Sequence, residues 1–117
     1  MTTLPQILQR NFTEAPERTA LILLQPRQPE EAISYHKLLQ GAAGYARAFA
    51  AQSLRPGEVV ILVLQHGVDL VYSFFGAILH GAIPAIMPFL TEKLSPERYQ
   101  QDMTALIGIT CPAAIVT

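Results

Sequence analysis

An uninterrupted apolar run, Val59-Val60-Ile61-Leu62-Val63-Leu64, constrains the fold more than any other part of this sequence. Strands with one solvated face alternate apolar and polar side chains, whereas strands covered on both faces are apolar throughout. The β-branched residues favour an extended chain, and turn residues flank the run, with Arg55-Pro56-Gly57-Glu58 before it and Gln65-His66-Gly67 after it. The run therefore predicts a strand inside a parallel sheet.

The next residues alternate between helical and extended patterns. A helix is predicted from Val68 to Leu79, with Asp69 complementing the helix dipole in the first turn and Gly81 as its left-handed end. Ile83 to Met87 is predicted as a strand, at an edge or irregular at its start, because Pro84 lacks an N–H donor. The inner face of the helix is predicted to carry Val71, Phe74, Phe75, Ile78 and Leu79. Its two phenylalanines fit a core or an interface better than the wall of a ligand site.

A loop from Pro88 to Leu94 leads to a third helix. Ser95-Pro96-Glu97 supplies an N-cap, a proline at the first helical position and an acid in the first turn, and Gly108 is predicted to end the helix. The side chains expected to face inward are Met103, Leu106 and Ile107. Ala113 to Val116 is predicted as the last strand. Strands and helices that alternate through short links predict right-handed βαβ crossovers.

A helix and a hairpin are predicted before the sheet. Thr3 can cap the first helix, with Gln6 placed for a capping box, and the helix gives way between Asn11 and Pro16. Its apolar face carries Leu4, Ile7, Leu8 and Phe12. Two short strands, Thr19 to Gln25 and Glu31 to Ser34, are expected to pair antiparallel across a turn that holds two prolines.

The second helix is predicted from Tyr35 to about Ser53, with Ser34 as its N-cap. Its buried stripe is expected to consist of Leu38, Ala42, Tyr45, Ala46, Phe49 and Ala50. Gly41 and Gly44 lie inside this helix, where a glycine costs about 1 kcal/mol relative to alanine. Such residues indicate that another element packs closely against the helix.

These elements predict an α/β fold: the N-terminal portion of a doubly wound parallel sheet (βαβαβ), preceded by a helix and a short hairpin. Hydrophobic residues make up 50% of the chain and charged residues only 15%, against about 25% charged in an average soluble domain. This excess of apolar surface, and the end of the sequence on an apolar strand, predict that residues 1–117 are a truncated N-terminal part of a larger domain. Exposed strand edges would then favour self-association, as a dimer or a higher species.

The charge pattern and the cysteine content exclude several classes of protein. Eight basic and nine acidic residues are scattered along the chain, for a net charge of −1, so the basic surface of a nucleic-acid-binding protein is missing. The single cysteine, Cys111, excludes an internal disulfide and a paired-cysteine metal site, and its apolar surroundings predict a buried, inert thiol. A reduced, cytoplasmic setting fits this usage, and no signal peptide is visible.

One stretch, residues 70–91, carries no Asp, Glu, Lys or Arg and is long enough to cross a bilayer. Gly81 and Pro84 divide it into a helical piece and an extended piece, each too short to span. No membrane span is therefore predicted, and a membrane-associated segment is the weaker alternative.

Motifs for catalysis, cofactors and metals are absent from the sequence. It contains no GxGxxG, GxxxxGK[ST], GxSxG or HExxH pattern and no zinc-ligand spacing. His66 and Asp69 could share a helical turn as an acid–base pair, but a loop histidine beside a helix-capping acid explains them better. His36 and His80, at the two ends of helices, are not expected to be catalytic either. No catalytic, cofactor-binding or metal-binding residue is assigned.

Several motifs resemble those of the adenylate-forming enzymes, a superfamily of acyl-CoA synthetases, fatty-acyl-AMP ligases and adenylation domains of non-ribosomal peptide synthetases. Ile33-Ser34-Tyr35-His36-Lys37-Leu38 resembles the family's L[TS]YxEL motif, with Lys37 in place of the usual Glu. Leu79 to Pro88 resembles LKAGxAxVPL, with His80 in place of Ala or Lys. Pro16 to Leu21 and Arg55 to Leu62 are similar to the family's "P(D/E)xxAL" and "GDxVAL" segments. The resemblance covers the chain from about Leu4 to Thr117.

The resemblance implies a function for a full-length protein. Such enzymes use ATP and Mg²⁺ to convert a carboxylic acid into an acyl-adenylate with release of pyrophosphate, and then transfer the acyl group to the thiol of CoA or of an acyl carrier protein. The family's phosphate-binding loop, its later ATP motifs and its C-terminal lysine have no counterpart in residues 1–117. The fragment alone is therefore expected to be a scaffold without activity or cofactor, whose main partner is the remainder of the parent enzyme.

The loop from Pro88 to Leu94 slightly favours the fatty-acyl-AMP ligase or carrier-linked branches of the superfamily. The alternative function, from another class, is a self-contained protein-interaction or oligomerisation module without enzymatic activity.

Overall fold

A computed structural model describes residues 3–87 and 95–117, and the predicted loop from Pro88 to Leu94 lies outside these residues. The first helix, α1, spans Leu4–Glu14. The Thr3 side chain accepts a hydrogen bond from the backbone of Gln6, whose own side chain accepts one from the backbone of Thr3, so the predicted capping box is confirmed.

A two-stranded antiparallel hairpin follows α1. Strand β1 spans Thr19–Leu23 and strand β2 spans Glu31–Ser34, with Leu23 opposite Glu31. The predicted hairpin is confirmed, although β1 ends two residues before Gln25. The next two residues bond to His66 instead: the Leu24 carbonyl with its ring, and the Gln25 side chain with its carbonyl. Leu8 of α1 packs with Leu23 and with neighbours from the next helix in one buried cluster.

The second helix, α2, spans Tyr35–Ala51, and the Ser34 side chain accepts a hydrogen bond from the backbone of Lys37. Leu38, Ala42 and Phe49 are buried as predicted, but Ala50 is exposed, because it lies about 100° around the helix from Phe49. The helix ends at Ala51, where Ser53 adopts a left-handed conformation (φ 63°). The Leu54 N–H then donates to the Phe49 carbonyl at 3.0 Å, which satisfies an otherwise free helix-end acceptor.

The core of the fold is a three-stranded parallel sheet in the order β4-β3-β5. Strand β3 spans Val59–Leu62, β4 spans Ile83–Ile86 and β5 spans Ala114–Val116. Val60, Ile61 and Leu62 have no accessible surface. The prediction of a strand covered on both faces is therefore confirmed, and within residues 3–87 and 95–117 Pro84 lies on an edge strand, as expected.

Helices cover both faces of this sheet, which gives it the doubly wound character that the sequence predicts. Helix α3 spans Val68–His80, and helix α4 spans Pro96–Thr110. Val60 and Leu62 pack toward α2 and α3, together with Phe49, Ala77 and the half-buried Phe74. On the other face, Ile61 and Val63 pack against α4 through Tyr99, Met103 and Leu106.

The close approach of α2 to α3 depends on two glycines. A Cβ atom on Gly41 would lie 2.5 Å from the ring of Tyr72, and a Cβ atom on Gly76 would lie 2.6 Å from the Cβ of Tyr45. Close packing was predicted from the small residues of α2, and Gly41 confirms it. Gly44 does not serve this purpose, because a Cβ atom there would meet nothing within 4 Å.

The end of α3 agrees with the sequence-based prediction, whereas the end of α4 does not. Gly81 ends α3 with φ 90°, which confirms the predicted left-handed position. Helix α4 continues past Gly108 to Thr110, because Gly108 keeps a helical conformation and Cys111 takes the left-handed position instead, with φ 47°. The predicted end at Gly108 is therefore wrong. Ile107 is 37% exposed, so its predicted inward orientation is also wrong.

Candidate functional site

The carboxyl ends of parallel strands are where open α/β sheets bind ligands. At the end of β3 the chain enters a turn and then begins α3, and a hollow of about 430 Å³ lies beside this turn. We call it the strand-end hollow. It is lined by Gln25, Glu31, Leu64, Gln65, His66, Gly67, Val68 and Asp69. The hairpin and the start of α3 thus contribute to the same concave surface.

Two hydrogen bonds join the hairpin to the turn after β3. The Nε2 atom of His66 lies 2.9 Å from the carbonyl oxygen of Leu24, to which it donates in the tautomer that carries the proton on Nε2. The Gln25 side-chain amide donates to the carbonyl oxygen of His66 at 3.2 Å. Together these bonds fix the wall of the strand-end hollow, and the His66 ring is used as a structural donor.

Asp69 has a different partner. Its Oδ1 atom accepts a hydrogen bond from the Tyr45 hydroxyl at 3.2 Å, which ties α2 to the first turn of α3. His66 and Asp69 border the same hollow, but each is engaged with a separate group. His66 is a loop histidine, as predicted, whereas Asp69 lies in the first turn of α3 without capping it: Gly67 is the N-cap, and α3 has no side-chain capping hydrogen bond. The geometry gives no support to an acid–base pair.

The pKa values of two tyrosines report the electrostatics of this region. Desolvation raises the pKa of Tyr45, and the negative charge of Asp69 and the hydrogen bond to it raise it further. Desolvation is also the main cause of the raised pKa of Tyr72, followed by the charges of Glu31 and Asp69. The nearby acids add to both shifts, but desolvation of the two hydroxyl groups is the larger cause.

The strand-end hollow does not fit the phosphates of ATP. Phosphate sites are built from backbone N–H groups and basic side chains, whereas this hollow is lined by two carboxylates and by no lysine or arginine. Metal ligands are not assembled either: among residues 3–87 and 95–117, no group of three His, Cys, Asp or Glu side chains could hold a metal ion. No step involving ATP or Mg²⁺ can be assigned to these residues.

The other two histidines also have structural partners. The Nε2 atom of His80 is hydrogen-bonded to the Leu54 carbonyl, and its ring lies 6.5 Å from that of Phe49, so it anchors the end of α3 to the end of α2. His36 stacks on Phe12 of α1 at 5.7 Å. That none of the three histidines is catalytic stays a prediction.

The prediction for Cys111 is wrong, whereas the prediction for the phenylalanine pair is confirmed. Cys111 is exposed, so the prediction of a buried thiol is wrong: the residue ends α4 in a left-handed turn, outside the apolar strand that follows it. Phe74 and Phe75 meet edge to face at 5.4 Å and pack against two different core clusters. They therefore serve the core, as predicted.

The residues of the two main motifs have structural roles in the described parts of the chain. Ile33 and Leu38 are buried in the cluster under the hairpin, and Ser34 between them caps α2. In the second motif, Gly81 ends α3 and the following residues form β4. Pro88, at the end of that motif, lies outside the described residues.

A larger hollow, of about 700 Å³, lies beside β5 on the side of α2. We call it the β5 hollow. Its lining includes apolar side chains such as Phe49, Leu54 and Val116, and one ion pair, in which Arg55 lies 3.8 Å from Glu58. Arg55 is 86% exposed, so this pair contributes little to stability.

The contacts that shape these sites could not be predicted from the sequence. Tyr45 and Asp69 are separated by 24 residues, and His66 and Leu24 by 42. No motif or periodicity connects them, and only the packing of α2 against α3 and of the hairpin against β3 brings them together.

No helix in the described parts of the chain is long and apolar enough to cross a membrane.

Comparison with known proteins identifies the family. A model of the AMP-binding enzyme family matches residues 8–102. Similar solved structures include a fatty acid AMP ligase from Legionella pneumophila (TM-score 0.84, 19% identity, 97% of this chain and 19% of that one). They also include the McyG A-PCP protein complexed with phenylalanyl-adenylate (TM-score 0.80, 18% identity, 97% and 18%). A third is a benzoate CoA ligase from Burkholderia xenovorans LB400 (TM-score 0.72, 21% identity, 98% and 21%).

The chain spans about a fifth of the length of these proteins. The similarity extends over nearly all of its own residues, and it confirms the predicted α/β fold with a hairpin and a parallel sheet. The family match covers well over half of the chain and includes both main motifs. The chain therefore belongs to the AMP-binding enzyme family, the adenylate-forming superfamily that its motifs resemble.

Proposed function

We propose that residues 1–117 form the N-terminal part of the large N-terminal domain of an ATP-dependent acid–thiol ligase. The observation that carries the proposal is the family match over residues 8–102, supported by a fold that agrees with ligases along nearly the whole chain. The role of this part is structural. Its buried β3 strand, covered by helices on both faces, provides a rigid layer against which a site completed by other residues is built.

The chemistry belongs to the whole ligase. A carboxylate oxygen attacks the α-phosphorus of ATP, the bond to pyrophosphate breaks, and the acyl-adenylate forms. A thiol sulfur of CoA or of an acyl carrier protein then attacks the acyl carbon, and AMP leaves. Activation is needed because a carboxylate is a poor acyl donor until its oxygen is bonded to a good leaving group, and enzymes lower the barrier by stabilising the charge that develops.

The residues of this chain are proposed to hold the carboxyl edge of the sheet in place and to take no part in the reaction itself. The strand-end hollow is negatively charged and lacks basic side chains, so we place the nucleotide on residues outside 1–117. The bonds from His66 to Leu24 and from Gln25 to His66 hold the carboxyl edge of the sheet in one shape. This edge is the side of an open sheet from which the remaining residues would approach a ligand.

The proposal is tested by comparing residues 1–117 with the product of the whole reading frame. Each is assayed for ATP–pyrophosphate exchange with a panel of fatty, aromatic and amino acids, and for acyl-adenylate by mass spectrometry. Exchange by the whole product and none by residues 1–117 is the expected result. Exchange by residues 1–117 alone would refute the structural role, and a reading frame that stops after Thr117 would refute the ligase proposal.

The second candidate function is an interaction or oligomerisation module without enzymatic activity. It is supported by the β5 hollow and by the exposed edge next to it, where Ile115 is 46% exposed. A reading frame with no phosphate-binding loop after residue 117 would favour it. A cytoplasmic location is part of the main proposal, and fractionation of cells that express the protein tests it.

A further inference from the structure

The order of the strands creates a switch point in the parallel sheet. The chain passes from β3 through α3 to β4 on one side of β3, and it returns through α4 to β5 on the other side. Helices α3 and α4 therefore pack on opposite faces of the sheet. Open α/β sheets bind ligands in the crevice at such a point, outside the carboxyl ends of the strands. We therefore place the crevice between the ends of β3 and β5, where the turn from Gln65 to Gly67 borders it.

This turn is held by the hairpin. The Nε2 atom of His66 lies 2.9 Å from the Leu24 carbonyl oxygen, and the Gln25 side chain donates to the His66 carbonyl at 3.2 Å. We call these two hydrogen bonds the hairpin clasp. A Cβ atom on Gly67 would lie 3.4 Å from the Gln25 side-chain nitrogen, so Gln25 also lies against the next residue of the turn.

The start of α3 depends on the hairpin clasp because the helix has no side-chain cap. A serine or threonine side chain caps each of α1, α2 and α4, whereas the N-cap of α3 is Gly67, which makes no capping hydrogen bond. Free N–H groups at a helix start leave its first turn prone to fraying. The clasp fixes His66, the residue directly before Gly67, and so it takes the place of a cap.

The clasp contributes to the position of the turn more than to the stability of the fold. Both of its hydrogen bonds are exposed to solvent, whereas β3 and the inner face of α3 are buried in the core. A single exposed hydrogen bond adds little to the free energy of unfolding. Loss of the clasp should therefore displace the turn and leave the sheet intact.

The side chains around the turn indicate which part of a substrate fits against it. Glu31 and Asp69 line the strand-end hollow and repel phosphates and carboxylates, while Leu64 and Val68 offer apolar surface. The uncharged body of a substrate suits this surface. In the proposed ligase reaction, such a body belongs to the carboxylic acid and to the arm that carries the acceptor thiol.

We propose that His66 is a positioning residue of the ligase: through the hairpin clasp it holds the turn from Gln65 to Gly67 against the uncharged body of a substrate. This inference rests on the proposed function. The His66 ring makes and breaks no bond of the substrate, because its Nε2 atom is engaged with the Leu24 carbonyl. A displacement of about 1 Å in a positioning group can slow a reaction by roughly a hundredfold, so the clasp should be visible in kinetics.

The test compares the product of the whole reading frame with three variants. His66→Leu removes the donor, and His66→Gln keeps an N–H donor at the end of a side chain of similar reach. His36→Leu is the matched control, because it replaces a histidine that stacks on Phe12 of α1 instead of holding the turn. For each protein, kcat and KM are measured for ATP, for the acid and for the thiol acceptor, by pyrophosphate exchange and by thioester formation.

His66→Leu is expected to raise the KM for the acid or for the thiol acceptor at least about fivefold, and the KM for ATP by less than about twofold. The substrate whose KM rises is the one that meets the turn. His66→Gln should restore most of the loss, and His36→Leu should leave every KM within about twofold. A purely structural role would lower the fraction of active enzyme, and therefore the apparent kcat, without changing any KM.

Hydrogen exchange of the same proteins gives a readout that does not depend on activity. The Val71 N–H donates to the Gly67 carbonyl at 3.3 Å, in the first turn of α3, and the Met87 N–H donates to the Leu62 carbonyl at 3.0 Å, in the sheet. In His66→Leu the Val71 amide is expected to exchange faster while the Met87 amide keeps its rate, because only the turn and the helix start are released.

Several results would overturn the role of His66 and leave the ligase proposal standing. They are an active product in which His66→Leu changes no KM or only the KM for ATP, a change that His36→Leu reproduces, and a loss that His66→Gln does not reverse. Unchanged exchange of the Val71 amide in His66→Leu would also overturn it. An unmodified whole product that shows no pyrophosphate exchange with any acid would instead refute the ligase proposal, and the role of His66 with it.

Discussion

Substitution of Gly76 by alanine should test the packing of α2 against α3. The added Cβ atom would lie 2.6 Å from the Cβ of Tyr45 and 2.7 Å from the carbonyl oxygen of Ala42. Both neighbours are at or next to backbone, so neither can rotate out of the way. Inserting a methyl group into a well-packed interface costs about 1–3 kcal/mol, and the contact with a backbone oxygen places Gly76→Ala toward the upper part of that range.

Helix propensity acts in the opposite direction. Alanine is favoured over glycine in a helix by about 1 kcal/mol, so the net loss in the free energy of unfolding is about 1–2 kcal/mol. For a chain of this length, the midpoint of thermal unfolding should fall by roughly 4–8 °C. The measurement is urea unfolding followed by circular dichroism, at one protein concentration for all variants.

Gly44→Ala is the matched control, because Gly44 lies in α2 and a Cβ atom there would meet nothing within 4 Å. The same substitution should therefore stabilise the chain, by about 0.5–1 kcal/mol from propensity alone. The reasoning is refuted if Gly76→Ala is as stable as the unmodified chain while Gly44→Ala gains the expected amount, since the helices would then not be held at the distance described.

Three other predictions follow from the same structure. The raised pKa values of Tyr45 and Tyr72 mean that the folded chain holds these protons more tightly than the unfolded chain. Their contribution to the free energy of unfolding is therefore complete below pH 10.0, the ordinary tyrosine value, and is lost as the pH rises above it. A double substitution to phenylalanine should flatten the fall in the free energy of unfolding above that pH, and an unchanged slope would contradict the assignment. Ser53→Gly should raise the free energy of unfolding by about 1 kcal/mol, because Ser53 has the left-handed φ of 63° that favours glycine. Gly81→Ala, at the equivalent end of α3, should lower the free energy of unfolding. Urea titrations that show no gain for Ser53→Gly would contradict a left-handed Ser53. The exposed Cys111 thiol should react with a disulfide reagent in the native chain at a rate within about threefold of its rate in urea. A much slower reaction in the native chain would instead support the buried thiol that the sequence predicts.

Much of the fold could be predicted because the deciding signals are local. The apolar run from Val59 to Leu64 indicates a strand covered on both faces, whatever the partners are, and the structure buries Val60, Ile61 and Leu62 completely. Gly81 is the residue type that a left-handed helix end favours, and Pro84 the type that an edge strand tolerates. In each case the chemistry of one residue or one short run determines the outcome.

The predictions that were wrong depended on a choice between neighbours. Gly108 and Cys111 both lie near the end of α4, and the sequence favours glycine as the left-handed residue. The structure uses Cys111, whose N–H donates to the Ile107 carbonyl at 2.9 Å, and this turn leaves the thiol in solvent. The extension of α4 past Gly108 therefore explains why the predicted burial of Cys111 is wrong, whereas Ile107 lies inside the helix with either end.

The shape of the strand-end hollow was beyond prediction for a different reason. The hydrogen bond from Tyr45 to Asp69 and the one from Gln25 to His66 join residues from separate elements. They depend on the distance between α2 and α3 and on where β1 ends, and neither quantity is expressed in a local pattern. The sequence could place both motifs in structural roles but could not give the geometry around them.

Direct titration of residues 1–117 with ATP and Mg²⁺ tests the central claim, that this chain supplies structure and not a nucleotide site. The account predicts no heat of binding by calorimetry and no ATP-dependent change in the amide spectrum around Gln65, His66 and Gly67 at the end of β3. Saturable, tight binding of ATP with Mg²⁺ by these residues alone would contradict it.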